Sequence, residues 1–101
     1  MRMIVFFDLP TETVEDRRAY RQFRNGLVKN GFIMMQESVY CKLLLNSTAD
    51  QTTREAIRRI RPPRGIVQIM TITEKQFSRI EYLTGEFHTD IISTDERMVV
   101  I

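Results

Sequence analysis

The spacing of apolar residues changes several times along the chain, and each change marks a predicted element. Residues 2–8 form an apolar run rich in β-branched and aromatic side chains, which is typical of a central strand. From 14 to 29, large apolar residues recur at i, i+3 and i+7 as Tyr20, Phe23 and Leu27, which predicts an amphipathic helix. The pattern therefore opens with a strand followed by a helix.

The middle of the chain continues with two strands, a helix and a further strand. Residues 32–46 are strand-like throughout, and their alternation slips at residues 36–38, which predicts a tight turn or bulge between two strands. A second helix is predicted from Ser47 to about Arg61. Residues 66–72 then read as a fourth strand.

Local signals predict where both helices begin and where the second one ends. Thr13 and Asp16 have the spacing of a capping box for the first helix, and Ser47 and Asp50 repeat that spacing for the second. Residues 62–63 are both proline, which lacks the backbone N–H that a helix needs. We therefore expect two helices separated from their neighbouring strands by short connections.

The order strand, helix, strand, strand, helix, strand predicts an α+β fold. It is the order of a ferredoxin-like β-α-β-β-α-β sandwich, with one sheet and both helices on one of its faces. A length of 101 residues leaves room for one domain, 1–101. We expect residues 1–78 to form its core, and residues 79–101 to form a C-terminal strand and tail.

A helical turn is predicted at 74–77, at the end of the core, and the tail then begins with a short strand at 79–84 and ends in a hairpin. Its last part contains six apolar residues, too many to remain in water. They are Ile91, Ile92, Met98, Val99, Val100 and Ile101. A strand built from them would pair with a sheet edge. The sequence leaves open whether that edge belongs to the same protomer, a second protomer or another protein.

Positive charge is concentrated in the middle of the chain. The net charge of the whole chain is +2, but residues 17–64 hold eleven lysines and arginines against three acids, a net +8. Nine of the eleven are arginine, whose planar guanidinium suits bidentate contact with phosphate. This distribution predicts a polyanionic partner on one face of the molecule.

The arginines recur with helical spacing in both predicted helices, at i, i+4 and i+7. They are Arg17, Arg21 and Arg24, with Arg18 beside them, in the first helix, and Arg54, Arg58 and Arg61 in the second. Residues so spaced share one helix face, and both helices lie on one side of the predicted sheet. The pattern therefore predicts a basic surface that contacts the phosphates of a duplex without reading bases. An ordinary solvated helix face is the alternative.

Asp8 is a candidate metal ligand at the end of the first predicted strand. Carboxylate oxygens suit Mg²⁺, which keeps several waters, but one aspartate is too few to hold it. Two copies of Asp8 across a two-fold axis would form a better site. The alternative is a residue that caps the turn at Leu9-Pro10. The sequence shows no nucleophilic side chain with a general base beside it. Any hydrolysis would therefore depend on a metal held by Asp8.

Two further features concern the compartment. Cys41 is the single cysteine, so the chain cannot form an internal disulfide, which suits a reducing environment. No apolar run approaches the roughly 20 residues that a membrane span requires. We therefore expect a cytoplasmic protein with no membrane association.

Taken together, these segments resemble the second core family of CRISPR-associated proteins ("Cas two"). The resemblance rests on the first strand with its aspartate, residues 3–8, on the arginine-rich helix segment 17–24, and on Gly31 with residues 36–40. Two further stretches, residues 6–10 and the segment that runs from Pro62-Pro63 to Phe77, resemble the branch found in type II systems.

The resemblance implies a homodimer that takes part in spacer acquisition for antiviral defence. Such a dimer bridges two dimers of the CRISPR integrase, and double-stranded DNA lies across it. Arg17 and Arg18 occupy the place of DNA-contacting arginines, and residues 91–101 that of the tail that docks on the integrase. Asp8 occupies the place of the family's Mg²⁺ ligand, which implies the alternative function of a Mg²⁺-dependent endonuclease acting on RNA or DNA. An interferase-type toxin or a small regulatory dimer on the same fold is a third hypothesis.

Overall fold

Four strands and three helices follow one another within residues 1–86, the part of the chain that the computed structural model describes. The strands are β1 (Arg2–Asp8), β2 (Ile33–Gln36), β3 (Val39–Leu43) and β4 (Ile66–Ile72). The helices are α1 (Val14–Lys29), α2 (Ser47–Arg59) and α3 (Glu74–Ser78). This order confirms the predicted α+β, ferredoxin-like architecture.

The strands form one antiparallel sheet in the order β2-β3-β1-β4, so β1 lies in its interior. Met3, Val5 and Phe7 of β1 belong to the buried core beneath the helices. Because side chains alternate along a strand, Ile4, Phe6 and Asp8 face the other side of the sheet. We call this second side, which neither α1 nor α2 covers, the open face.

The core is organised around the aromatic ring of Phe7. Its ring centroid lies 5.2 Å from that of Phe23 and 5.8 Å from those of Tyr20 and Tyr40. Aromatic pairs at these separations contribute about 0.5–1.5 kcal/mol beyond the area that they bury. β1, β3 and α1 are therefore joined at the point where β1 leads into its final residue, Asp8.

The first helix begins as the sequence predicts, and the second begins differently. The Thr13 hydroxyl accepts a hydrogen bond from the Asp16 amide at 3.0 Å, which confirms the capping box of α1. In α2 the cap is Asn46, whose Oδ1 accepts a hydrogen bond from the Ala49 amide at 2.9 Å. Ser47 is therefore the first helical residue and not the cap, because asparagine in an extended conformation is at least as good a cap as serine.

The slip in alternation between β2 and β3 corresponds to both a turn and a bulge. The register of the pair shifts between Met34 and Gln36, and Ser38 in the turn has a φ of 67°. The Ser38 carbonyl also accepts a hydrogen bond from the Phe7 amide at 3.0 Å. The turn thus adds to the pairing between β3 and β1 near the end of β1.

The segment that follows β4 agrees with the sequence prediction only at its start. α3 confirms the helical turn expected at 74–77, but residues 79–84 form no strand. A strand requires hydrogen bonds from a neighbouring strand, and this exposed segment has none within residues 1–86. The apolar residues from Ile91 to Ile101 lie outside the described residues. Within residues 1–86, every helix is too short or too polar to cross a membrane.

Candidate nucleic-acid interface and metal site

The outward face of α1 carries four of the predicted arginines. Phe23 and Leu27 are buried, so the helix turns the rest of its surface toward solvent. All four arginines of this face are exposed: Arg17, Arg18, Arg21 and Arg24. From Arg17 to Lys29 the helix contains no acidic residue. α1 therefore presents one positive stripe, as its spacing predicts.

Arg17 is held in a defined position at the start of this stripe. Its Nη1 donates hydrogen bonds to the carbonyl oxygens of Thr11 at 3.1 Å and Glu12 at 3.2 Å. A guanidinium has five N–H donors, so most of them remain available to a phosphate. The loop that leads into α1 thus orients the first arginine of the stripe.

The second predicted stripe is only partly present. Arg58 is exposed in the last turn of α2, and Arg61 is exposed beyond its end. Arg54 is only 29% exposed: its Nε donates to Asp50 Oδ2 and its Nη2 to Thr71 Oγ1, both at 2.9 Å. Arg54 therefore connects α2 to β4 and is not part of an exposed basic face.

Asp50 is the centre of this connection between α2 and β4. The Thr71 hydroxyl donates to Asp50 Oδ1 at 2.5 Å, while Arg54 donates to Oδ2. Burial raises the pKa of the Asp50 carboxyl, but the hydrogen bonds from Thr71 and Arg54 outweigh burial and leave the pKa below its ordinary value. Asp50, which the sequence assigned to a capping box, instead joins α2 to β4 through hydrogen bonds.

Arg64 lies beside the arginines at the start of α1, a position that the sequence analysis did not predict. Its Nη1 lies 3.0 Å from Asp16 Oδ1, and the arginine side chain is 66% exposed. The two residues are 48 positions apart. No local pattern signals such a contact, because it depends on how the segment before β4 folds back against α1.

Asp8 is the exposed last residue of β1, paired in register with Ile66 at the start of β4. The turn before β4 approaches it closely: a Cβ on Gly65, which has a φ of +95°, would lie 2.8 Å from the Asp8 carbonyl oxygen. Within residues 1–86, no group of three or more histidine, cysteine or acidic side chains is placed to hold a metal. One protomer thus offers a single carboxylate, whereas two copies of Asp8 would match the one or two carboxylates that Mg²⁺ usually takes.

The open face of the sheet combines Asp8 with an apolar surface. Ile66 and Met70 on β4 and Leu43 on β3 remain 58%, 47% and 58% exposed. Three exposed apolar side chains on one face of a sheet make that face a candidate contact surface.

α3 is held at one end of the open face by Arg2. The Arg2 guanidinium donates to both Glu74 carboxylate oxygens, at 2.7 and 3.1 Å, and its Cζ lies 4.1 Å from the centroid of the Phe77 ring. The hydrogen bond from Arg2 lowers the pKa of the Glu74 carboxyl.

The cysteine has the environment of a core residue. Cys41 is 1% exposed, and burial raises the pKa of its thiol. A raised pKa disfavours the thiolate that a nucleophile needs.

Comparison with known proteins gives consistent results. A family model described as "CRISPR associated protein Cas2" matches residues 1–80. The "CRISPR-associated endoribonuclease Cas2" of Treponema denticola is 50% identical over 101 residues, covering 100% of both chains. The protein of the same name from Streptococcus mutans serotype c (strain UA159) is 48% identical over 101 residues, covering 100% of this chain and 93% of that one.

The fold also matches a solved structure. The crystal structure of Streptococcus pyogenes Cas2 at pH 6.5 superposes with a TM-score of 0.63 at 20% identity, over 83% of this chain and 100% of that one. The comparisons do not name a system type, so the type II branch stays a prediction. Asp8, the arginines of α1 and the segment 62–77 all lie within the residues that the family model matches. The chain belongs to the Cas2 family of CRISPR-associated proteins.

Proposed function

We propose that this chain is a CRISPR adaptation subunit, a homodimer that binds double-stranded DNA and bridges dimers of the CRISPR integrase during spacer acquisition. The observation that carries the proposal is the exposed stripe of α1, which holds four arginines and no acid from Arg17 onward. Such a surface binds phosphates electrostatically, without base readout. A scaffold that must accept DNA of any sequence requires that kind of contact.

The open face supports the dimer. Its exposed apolar residues, Ile66 and Met70 among them, lose contact with water if a second copy packs against them. A two-fold axis through this face would also bring two copies of Asp8 toward one another. The apolar residues from Ile91 to Ile101 are then the proposed contact with the integrase.

An integration assay tests the adaptation function. It combines the purified chain with the CRISPR integrase, a short duplex and a repeat-bearing target. We expect integration to require this chain and to survive Asp8→Ala, because the scaffold role depends on shape and charge. The double variant Arg17→Ala/Arg18→Ala should lose integration, whereas Arg79→Ala, an exposed arginine outside both stripes, should retain it. Integration that proceeds equally well without the chain would rule the proposal out.

A Mg²⁺-dependent endonuclease, acting on RNA or DNA through Asp8 of each protomer, is the second candidate function. It is favoured by the exposed position of Asp8 at the end of β1 and by the relatives' name, endoribonuclease. A bound Mg²⁺ would supply positive charge for the phosphate and lower the pKa of a water. Asp8 is the residue that would hold it.

Cleavage by the purified chain tests this second candidate. RNA and DNA substrates are incubated with Mg²⁺ or with EDTA, and Asp8→Asn is compared with Glu12→Gln, which changes a neighbouring exposed carboxylate in the same way. Cleavage that needs Mg²⁺ and is lost only in Asp8→Asn supports the nuclease. Equal cleavage by all variants would indicate a contaminating enzyme.

A further inference from the structure

Asp16 is a buried carboxylate at the start of the helix that carries the basic stripe. It is 7% exposed, and its Oδ2 accepts a hydrogen bond from the Thr13 amide at 3.4 Å. A buried carboxylate is costly unless a positive partner and hydrogen bonds compensate it. Arg64 supplies that partner, with its Nη1 3.0 Å from Asp16 Oδ1.

This ion pair joins α1 to the segment Pro62–Gly65 that precedes β4. Within residues 1–86, it is the only hydrogen bond between that segment and the helix. Beside the pair lies a cavity of about 330 Å³, with walls formed largely by prolines and small or apolar residues: Leu9, Pro10, Ala19, Pro62 and Pro63. Because apolar packing is incomplete here, the ion pair is the main directional contact that fixes the start of α1 against this segment.

We propose that the Arg64–Asp16 pair is a positioning device for the DNA-binding arginines at the start of α1. Asp16 immediately precedes Arg17 and Arg18, so its position sets where their backbone emerges. Arg17 is in turn tied to the carbonyl oxygens of the loop before the helix. Without Arg64, this first turn loses its hydrogen bond to the segment before β4. The inference rests on the proposed DNA binding.

The direction in which Asp16→Asn changes the affinity for DNA distinguishes a positioning role from a simple effect of charge. Asp16→Asn removes a negative charge beside the proposed DNA surface, so electrostatics alone would make DNA binding tighter. The positioning role requires the opposite result, weaker binding, because the amide is a poorer partner for Arg64. Glu15→Gln is the matched control: it removes the same charge one residue away, from an exposed side chain that lines the same cavity and has no ion pair among the described residues.

The experiment measures Kd for a short duplex at several salt concentrations. We expect Asp16→Asn and Arg64→Ala each to weaken binding by roughly three- to tenfold, and the double variant to be no weaker than either, as expected for one coupled pair. Arg64→Lys should recover part of the loss. The slope of log K against log salt should fall by about 0.9 if one phosphate contact is lost. Glu15→Gln should bind as tightly as the wild type, or more tightly.

Three results would overturn the inference: Asp16→Asn that binds DNA as well as the wild type, additive effects in the double variant, or an equal loss in Glu15→Gln. If Asp16→Asn does not fold, hydrogen exchange of Arg64→Ala provides the test. The amides of the first turn of α1 should lose protection, and unchanged protection contradicts the proposal. A wild-type chain that fails to bind duplex DNA would overturn the proposed function together with this inference. Wild-type binding with no effect of the pair overturns only the inference.

Discussion

Gly26 of α1 and Ile60, the residue that caps the end of α2, approach one another so closely that a Cβ on Gly26 would lie 2.6 Å from Cδ1 of Ile60. The contact leaves no room for a side chain at this position of α1 unless Ile60 moves. Glycine inside a helix costs about 1 kcal/mol relative to alanine, so its presence here has a packing reason. Only the terminal methyl of Ile60 is too close, since its Cβ and Cγ1 would be at 3.6 Å.

Gly26→Ala should therefore have an effect on stability that depends on Ile60. In the wild-type background, we expect the gain in helix propensity to be largely cancelled by displacement of the Ile60 methyl, for a net change within about 0.5 kcal/mol. In an Ile60→Val background, which lacks Cδ1, the same substitution should stabilise the protein by about 1 kcal/mol. Urea unfolding of the four proteins measures the difference. Equal effects in both backgrounds would show that the contact does not limit helix spacing.

The free energy of unfolding should depend on pH through Asp50. Its pKa is lowered in the folded protein, so the stabilisation is complete above the ordinary aspartate pKa of about 3.9 and is lost as the pH falls through the lower folded value. We expect Asp50→Asn to be less stable by about 1–3 kcal/mol at pH 7. The difference from the wild type should shrink below about pH 4. Denaturation curves between pH 2 and 7 measure it, and a constant difference would contradict the assignment.

The position of α3 should depend on Arg2. Arg2→Ala removes both hydrogen bonds to Glu74 and the contact with the Phe77 ring. Exposed pairs of these kinds contribute about 1 kcal/mol together, which corresponds to an increase of about fivefold in local opening. Hydrogen exchange of the amides in α3 measures this, with Arg59→Ala, which removes an exposed arginine of α2, as the control. Unchanged exchange would mean that other contacts hold the helix.

Arginines of the exposed stripe should contribute to DNA binding, and Arg54 should not. Arg21→Ala should lower the slope of log K against log salt by about 0.9 for a lost phosphate contact. Arg54→Ala should leave that slope unchanged and reduce stability instead, because it breaks the ties to Asp50 and Thr71. Binding titrations at four salt concentrations and urea unfolding of the same samples separate the two effects. A smaller slope of log K against log salt in Arg54→Ala would show that this residue also contacts DNA.

Deletion of residues 91–101 tests the proposed integrase contact. We expect the truncated chain to remain a dimer through its open face and to lose affinity for the integrase, since six apolar residues are removed. Light scattering measures the dimer, and co-elution with the integrase measures the contact. A truncated chain that becomes monomeric would instead place these residues in the dimer interface.

Local sequence signals account for the elements that were predicted correctly. The helical period and the Thr13 capping box define α1, and the apolar run of residues 2–8 defines β1, because each signal lies within one element. The cap of α2 was misplaced by one residue because Asn46 and Ser47 are both good caps and only the backbone conformation distinguishes them. The strand predicted at 79–84 has no neighbouring strand within residues 1–86, so its pairing with a second protomer or another partner stays a prediction.

The sequence by itself determined the family, the order of the elements, the stripe on α1 and Asp8 at the end of a strand, since these follow from residue types and their spacing. The tertiary structure decided what each charged side chain contacts. Arg54 donates hydrogen bonds to Asp50 and Thr71 and is therefore not part of the exposed basic face. Arg64 contacts Asp16, which lies 48 positions away in the sequence. Spacing along one helix reports which residues share a face, but contacts between distant segments depend on how the helices and loops pack onto the sheet.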